Sequence, residues 1–348
     1  MSSSPDPPTG GGARGASHRT TGPRRQGRQA PAAREPAARG TGFVAFVREL
    51  LRRKPAGAVF GGIVVLMLFA GIFADQLAPH DVNAVRMTDR LKPPSATYWL
   101  GTDQLGRDLF SRLMHGARIS VTIGLTATTL STGLGILIGV PSGFLGGRLD
   151  IAVQRVVDAF MAIPGILLLI TIMSLVGPGM LQIILIVGTY SGIQASRVIR
   201  GAVIGIKENA YLTAAEAIGT SRLKILLRHV LPNVVPPVII LFSTTIGYVI
   251  LAEASLSFLG FGLPPEIPSW GGMLSDEGRR YMERAPSLAF WPGFCLALVV
   301  YCLNMFGDTL RDLLDPRLRG ASGRMGGRGI SRIAARAARG TGRGERAG

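Results

Sequence analysis

Six apolar segments run through the chain, at about residues 56–74, 119–144, 156–176, 180–198, 235–258 and 289–306. Each is near the ~20 residues that an α-helix needs to cross a bilayer core. Inside hydrocarbon every backbone N–H and C=O must be satisfied within the protein, and segments of this length do so as helices. The pattern therefore predicts an all-α integral membrane fold with six transmembrane helices. The mean hydropathy of +0.34 is reached although both ends of the chain are polar. That combination excludes a collagen, a disordered chain and an ordinary soluble domain.

The formal net charge of +17 would suit a nucleic-acid binder if it were spread along the chain. Instead, residues 1–54 and residues 317–348 each carry a net +8, and the 262 residues between them a net +1. Residues 1–42 and 321–348 are Gly, Pro, Ala, Ser and Arg with almost no large apolar side chain. They cannot bury enough surface to offset their ordering entropy and are expected to be disordered, basic, solvated tails. Lipid-surface or nucleic-acid binding is the alternative for them; as solvated tails they give no nucleic-acid partner, and none is expected. Between the first tail and the first span, Phe43, Phe46, Val47, Leu50 and Leu51 fall on one helical face, with Arg48, Glu49, Arg52, Arg53 and Lys54 opposite. Residues 43–54 are thus an amphipathic elbow helix lying in the headgroup plane, redirected at Pro55.

Six crossings put both ends on one side. That side collects 29 of the 38 Lys and Arg residues, the other side 9, so both termini are expected in the cytoplasm. The third and fourth spans are joined only by Gly177-Pro178-Gly179, a tight turn.

Catalytic chemistry is missing. The four histidines show no metal spacing, no Gly-Lys pair forms a phosphate loop, and Cys295 and Cys302 are too far apart along one helix to bridge. No enzyme activity, cofactor or metal is expected, and any ATP hydrolysis belongs to another chain. Two carboxylates fall within spans. Asp158 lies at the cytoplasmic start of the third and Glu253 toward the outer end of the fifth. Both are candidates for the transport pathway or gate; their positions near span ends equally allow a structural role.

The segment between the fourth and fifth spans carries the most information. Residues 208–218 are helix formers and small alanines, and Gly219 is placed to end that helix. A second, amphipathic helix from about Ser221 to Leu231 carries Leu223, Leu226 and Leu227 against Arg222, Lys224 and Arg228, and is expected to end at Pro232. A short small-residue helix, a glycine corner and a helix leading back to the bilayer make a docking element. Ala214-Ala215-x3-Gly219 and Leu231-Pro232 resemble the E-A-A-x3-G-x9-I-x-L-P motif of bacterial ATP-binding-cassette importer permeases. Thr213 stands where that motif has an acid and His229 where it has isoleucine, so no contact of the motif's carboxylate carries over to Thr213. The Arg228-His229-x-Leu231-Pro232-Asn233 ending is similar to the dipeptide, oligopeptide and nickel permeases.

Further stretches resemble the C-type subunit of that family: Leu100 to Arg112 with Gly116 to Ser120, Leu256 to Gly262 with Pro268 to Met273, and Asn304 to Arg319. The resemblance covers about residues 43–320 and implies the fold of a type I importer permease. It divides the chain into tail 1–42, elbow 43–54, first span and outer segment 56–118, a five-helix core 119–306 with coupling loop 205–232, a signature at 307–320 and tail 321–348. In that family the loop carries a cytoplasmic coupling helix that fits a groove on the ATPase, which points to Tyr211, Ala214, Ala215, Gly219, Leu231 and Pro232. The implied function is half of an ATP-driven pathway for di- or oligopeptides. The partners would be a homologous second permease, cytoplasmic ATPase subunits and an extracytoplasmic solute-binding protein. Nickel or another small solute is the alternative within the family, and a proton-coupled peptide carrier the alternative outside it.

On the outer side, Asp103–Arg107 and Asp108–Arg112 have i,i+4 spacing beside Leu105, Leu109 and Leu113. This predicts an amphipathic helix stopping at Gly116. Trp270 is read either as a headgroup anchor or as a contact for the binding protein.

Overall fold

The computed structural model describes residues 47–48, 50–52 and 54–314. The expected tails at 1–42 and 321–348, and residues 315–320 of the C-terminal signature, lie outside the described residues. Residues 47–48 and 50–52 of the expected elbow are helical, with Leu50 buried and Leu51 exposed.

Among the described residues, eight helices of eight or more residues organise the fold: α1 (Pro55–Ile72), α2 (Leu109–Leu145), α3 (Gly147–Met161), α4 (Gly165–Val176), α5 (Met180–Lys207), α6 (Ala210–Ala217), α7 (Leu231–Phe258) and α8 (Ser287–Leu314). Their ends follow local chemistry. Pro55 supplies the first turn of α1, where its missing N–H is no loss. Asp108 caps α2 by accepting from the Ser111 N–H at 3.0 Å. Gly146 ends α2 at φ +65°, a conformation open to glycine.

Among the described residues, four helical stretches are long and apolar enough to cross a membrane: α1, α2, the run Arg222–Phe258 that includes α7, and α8. The segment expected as a continuous third span is broken. α3 and α4 meet at 82°. The break falls at Pro164, which has no N–H to give and biases Ile163 away from helical geometry. α5 has 28 residues but carries Gln182, Gln194, Arg197 and Arg200, so it is less apolar than the others.

Three further expectations are corrected. The helix expected to end at Pro232 continues: a π-helical turn at Leu226–Val230 leads directly into α7. The wider turn relaxes the carbonyl ladder just where Pro232 offers no donor. The outer stretch from Asp103 is a turn, closed by an isolated bridge between Thr102 and Asp108, and the helix begins only at Leu109. It also does not stop at Gly116. There the missing side chain makes room for Trp270, whose ring would lie 2.9 Å from a Cβ. Trp270 is accordingly neither headgroup anchor nor outer contact. It is buried, and its Nε1 donates to the Leu113 carbonyl at 3.1 Å.

α2 and α5 pack through a seam of small residues. A Cβ on Gly139 would lie 2.4 Å from the Ser196 carbonyl oxygen, one on Gly143 2.9 Å from that of Arg200, and one on Gly188 2.9 Å from that of Ala127. Such approach is what small residues permit between membrane helices, where dispersion and not hydrophobic expulsion holds them together. Each contact joins residues about 60 apart in the same order, so α2 and α5 are parallel neighbours. α1 and α8 run antiparallel, with Gly57 against Thr309 and Gly61 against Phe306. At their common end Lys54 Nζ donates to Asp312 at 2.8 Å.

Candidate coupling site and transport path

α6 is held at both of its ends. At its start the Asn209 side chain donates to the Ile206 carbonyl at 2.7 Å. At its end Gly219 adopts φ +79°. The Thr220 N–H bonds the Ala215 carbonyl at 3.0 Å and the Gly219 N–H that of Glu216 at 2.9 Å. This pair of bonds is a Schellman motif, and the positive φ is what it asks of its glycine. Leu212 turns into the protein and packs with Val140, Phe144, Val203, Ile225 and Val230. One side of α6 is thereby fixed to α2, α5 and the foot of α7.

The opposite side is open. Tyr211, Ala214 and Gly219 are exposed and Ala215 is half-buried. Leu231 is half-buried in the apolar cluster beneath, and Pro232 is exposed. The structure therefore gathers the residues singled out from the sequence at one end of the bundle. Asn233 donates to the Tyr211 hydroxyl at 3.3 Å and to the His229 carbonyl at 2.6 Å, and the Tyr211 and His229 rings meet edge to face. Sequence reasoning missed Ile218, which is 82% exposed beside them, while Leu223 and Leu227, read as an apolar helix face, are also open.

Beside α6, charge fixes the helix ends. Arg200 grips Asp150 through two bonds of 2.6 Å, and Lys207 donates to the Phe144 carbonyl at 2.6 Å. A bidentate guanidinium–carboxylate pair is the stronger kind of such contact. Sequence spacing held no sign of it, since the partners are 50 residues apart.

The two span carboxylates are not brought together. Asp158 is paired with Arg197 and half-exposed. Glu253 is fully buried, accepts from the Ser257 hydroxyl at 2.8 Å, and lies beside Ser120 and Ser269. Its second oxygen, Oε2, has no partner among the described residues. Given the α2–α5 register, the two sites lie at levels about 30 Å apart along the bundle, from the ~1.5 Å helical rise per residue.

On the outer side, Asp103 Oδ2 is 2.6 Å from Arg107 Nε and 3.6 Å from Arg112 Nε, all three residues being buried. Arg118 ties the end of α1 to α2, donating to the Gly71 and Ile72 carbonyls and to both oxygens of Asp75. That guanidinium, followed by His115, holds the Asp75 carboxyl below the usual carboxylate range. Lys92 and then Tyr98 do the same for Asp89.

Residues 135–320 match the family model described as binding-protein-dependent transport system inner membrane component. The chain belongs to this family. The match takes in the α2–α5 seam from Gly135 onward, the whole coupling loop and Glu253, and leaves the outer stretch at 100–112 outside it. The permease is 39% identical over 276 residues to the glutathione transport system permease protein GsiD of Pectobacterium atrosepticum, covering 79% of this chain and 91% of that protein. It is 37% identical over 271 residues to the "probable D,D-dipeptide transport system permease protein" DdpC of Escherichia coli K12, covering 78% and 91%. A chain of the MetNI methionine ABC transporter in an inward-facing conformation superposes with a TM-score of 0.47 and 21% identity, covering 60% of the permease and 98% of that chain.

Proposed function

We propose that the permease forms half of the membrane pathway of an ATP-driven peptide importer. It would work with a homologous second permease, cytoplasmic ATPase subunits that dock on α6, and an external solute-binding protein. The carrying observation is the helix α6, which presents Tyr211 and Ala214 outward, with Ile218 exposed just past its end, while Leu212 anchors it to three long helices. A push on α6 then moves packed side chains of α2, α5 and α7 together, since close-packed interiors transmit displacement. The glutathione and D,D-dipeptide systems of the two relatives support a peptide-class substrate.

Topology is part of the same reading. Lys54 and Asp312 meet at 2.8 Å, so the start of α1 and the end of α8 share a side and the crossings are even in number. The parallel run of α2 and α5 supports reading the bent pair α3–α4 as one broken span that returns the chain across the membrane between them. These contacts support a reading with six crossings, and the excess of Lys and Arg on one side supports placing both termini in the cytoplasm.

The test is a bulky residue on the docking face. Ala215→Trp should hold the ATPase away, and Gly219→Val should disfavour the positive φ of the Schellman turn. Each should give a normally inserted permease from which the ATPase no longer co-purifies. Full retention of the ATPase with wild-type uptake in both variants overturns the assignment of α6.

A further inference from the structure

Near the level of α6, a cavity of about 670 Å³ opens between α5, α7 and α8. Its walls from α5 and α7 are largely apolar, through Val198, Ile206, Ile240 and Leu241, with Asn233 and Thr244 their polar members. Two of its lining residues are charged, Asp308 and Arg311, one helical turn apart on α8. Both are exposed, and among the described residues neither has an ion-pair or hydrogen-bond partner. Lys54, the nearest cation in sequence to the clasp of α1 on α8, is taken by Asp312. One carboxylate and one guanidinium therefore face the same space without neutralising each other.

The α7 wall adds acceptors. Pro236 and Pro237 lie inside the helix and line the cavity. Having no N–H, they leave the carbonyls of Pro232 and Asn233 without their usual helical donors. Exposed carbonyls of an interrupted helix are tolerated at membrane depth where they line a cavity, and there they suit a donor-rich or cationic group. Thr244 contributes a hydroxyl-bearing side chain to the same wall.

We propose that this cavity is a subsite for a short zwitterionic peptide, with Asp308 taking the free ammonium and Arg311 the free carboxylate. The inference rests on the peptide reading above and deepens it. The volume lies within the range of small-ligand pockets, roughly 300–1,000 Å³. A planar guanidinium is suited to a carboxylate, and a carboxylate to an ammonium. Apart from Asn233 and Thr244 the remaining lining is apolar, so the two charges on α8 dominate recognition and the subsite reads the two ends of the ligand. That fits a family whose relatives bear the names of glutathione and a D,D-dipeptide. Those ligands share a free ammonium and a free carboxylate and differ in linkage and hand.

The test uses the permease–ATPase complex carrying Thr244→Cys, with Cys295 and Cys302 changed to serine, and maleimide as the reporter. Ala-Ala, N-acetyl-Ala-Ala and Ala-Ala amide are added in turn. At a concentration where Ala-Ala slows modification about fivefold, each blocked peptide should slow it less than about twofold. Asp308→Asn should erase the preference over the acetylated peptide only, and Arg311→Gln the preference over the amide only. Equal protection by all three peptides, or protection unchanged in both variants, overturns the subsite. ATP-driven uptake of Ala-Ala is measured on the same complex reconstituted with its binding protein. Uptake without protection overturns the subsite and leaves the peptide reading standing. Protection without uptake of any peptide keeps the subsite and overturns that reading.

Discussion

The α2–α5 seam can be tested by adding a single methyl group. A Cβ on Gly139 would lie 2.4 Å from the Ser196 carbonyl oxygen and 3.1 Å from the Arg200 nitrogen, both backbone atoms that cannot rotate away. Restoring an ordinary contact requires the helices to part by about 0.8–1 Å, and overpacking of this kind costs about 1–3 kcal/mol. Replacing glycine by alanine in a helix interior also returns up to about 1 kcal/mol of propensity, which would mask part of the loss. Gly133 supplies the control, because a Cβ there meets nothing within 4 Å on the same helix. The difference between Gly139→Ala and Gly133→Ala removes the propensity gain and leaves the clash. At about 2–4 °C per kcal/mol for a protein of this size, Gly139→Ala should melt about 2–12 °C below Gly133→Ala. Thermal unfolding in detergent, followed by size-exclusion fluorescence, reads that gap. Equal melting temperatures would mean that α2 and α5 do not touch along this seam, and the parallel register with the six-crossing topology drawn from it would go with it.

Two further outcomes are expected. Glu253→Gln keeps an acceptor for the Ser257 hydroxyl, now at 2.8 Å. It should leave uptake within about twofold of wild type, whereas Glu253→Leu strands the buried Ser257 hydroxyl at about 1–3 kcal/mol and should lower the yield of folded protein. A large loss of uptake in a normally assembled Glu253→Gln permease would give the carboxylate a charged role in the gate. The second concerns acid. Asp75 and Asp89 are held below the usual carboxylate range by Arg118 and Lys92, so their contribution is complete above an unfolded pKa of about 4 and is lost as pH falls through the lower folded values. Hydrogen exchange in the 86–105 segment, corrected for intrinsic rates, should stay flat from pH 7 to 5 and rise only in stronger acid. Loosening already between pH 7 and 5 would mean that Asp75 and Asp89 do not control the outer segment.

Much of this arrangement was legible in the sequence, and the exceptions have physical causes. The Ala214-Ala215-x3-Gly219 run announces its own termination, because a Schellman turn is local and its glycine is visible. Hydropathy located α1, α7 and α8, since the signal lies in each segment alone. It could not show that Pro164 turns the chain by 82°, because membrane helices often absorb a proline. Trp270 was misread because its partner, Gly116, lies 154 residues away, and nothing local distinguishes an interfacial tryptophan from a buried one. The i,i+4 spacing of Asp103 and Arg107 suggested a helix, yet their bond is made in a turn, since Asp108 is the residue that caps Ser111. Gly135, Gly139 and Gly143 display a small-x3-small repeat that signals close approach. The direction of the partner helix, however, appears only in three dimensions.

The parallel pairing of α2 with α5 also sets a schedule for synthesis. The residues that meet across the seam are about 60 apart in the chain. At roughly 5–20 residues per second of chain growth, about 3–12 s separate the emergence of the first face from that of its partner. Throughout that interval α3 and α4 are produced and must take their bent path without occupying the place reserved for α5. From Ser120 to Gly143 the waiting helix carries no ionised side chain, so it can sit in lipid during the delay without exposing a charge to hydrocarbon. The same glycines that later allow contact leave a shallow face, offering a wrong helix little to grip until the complementary backbone of α5 arrives.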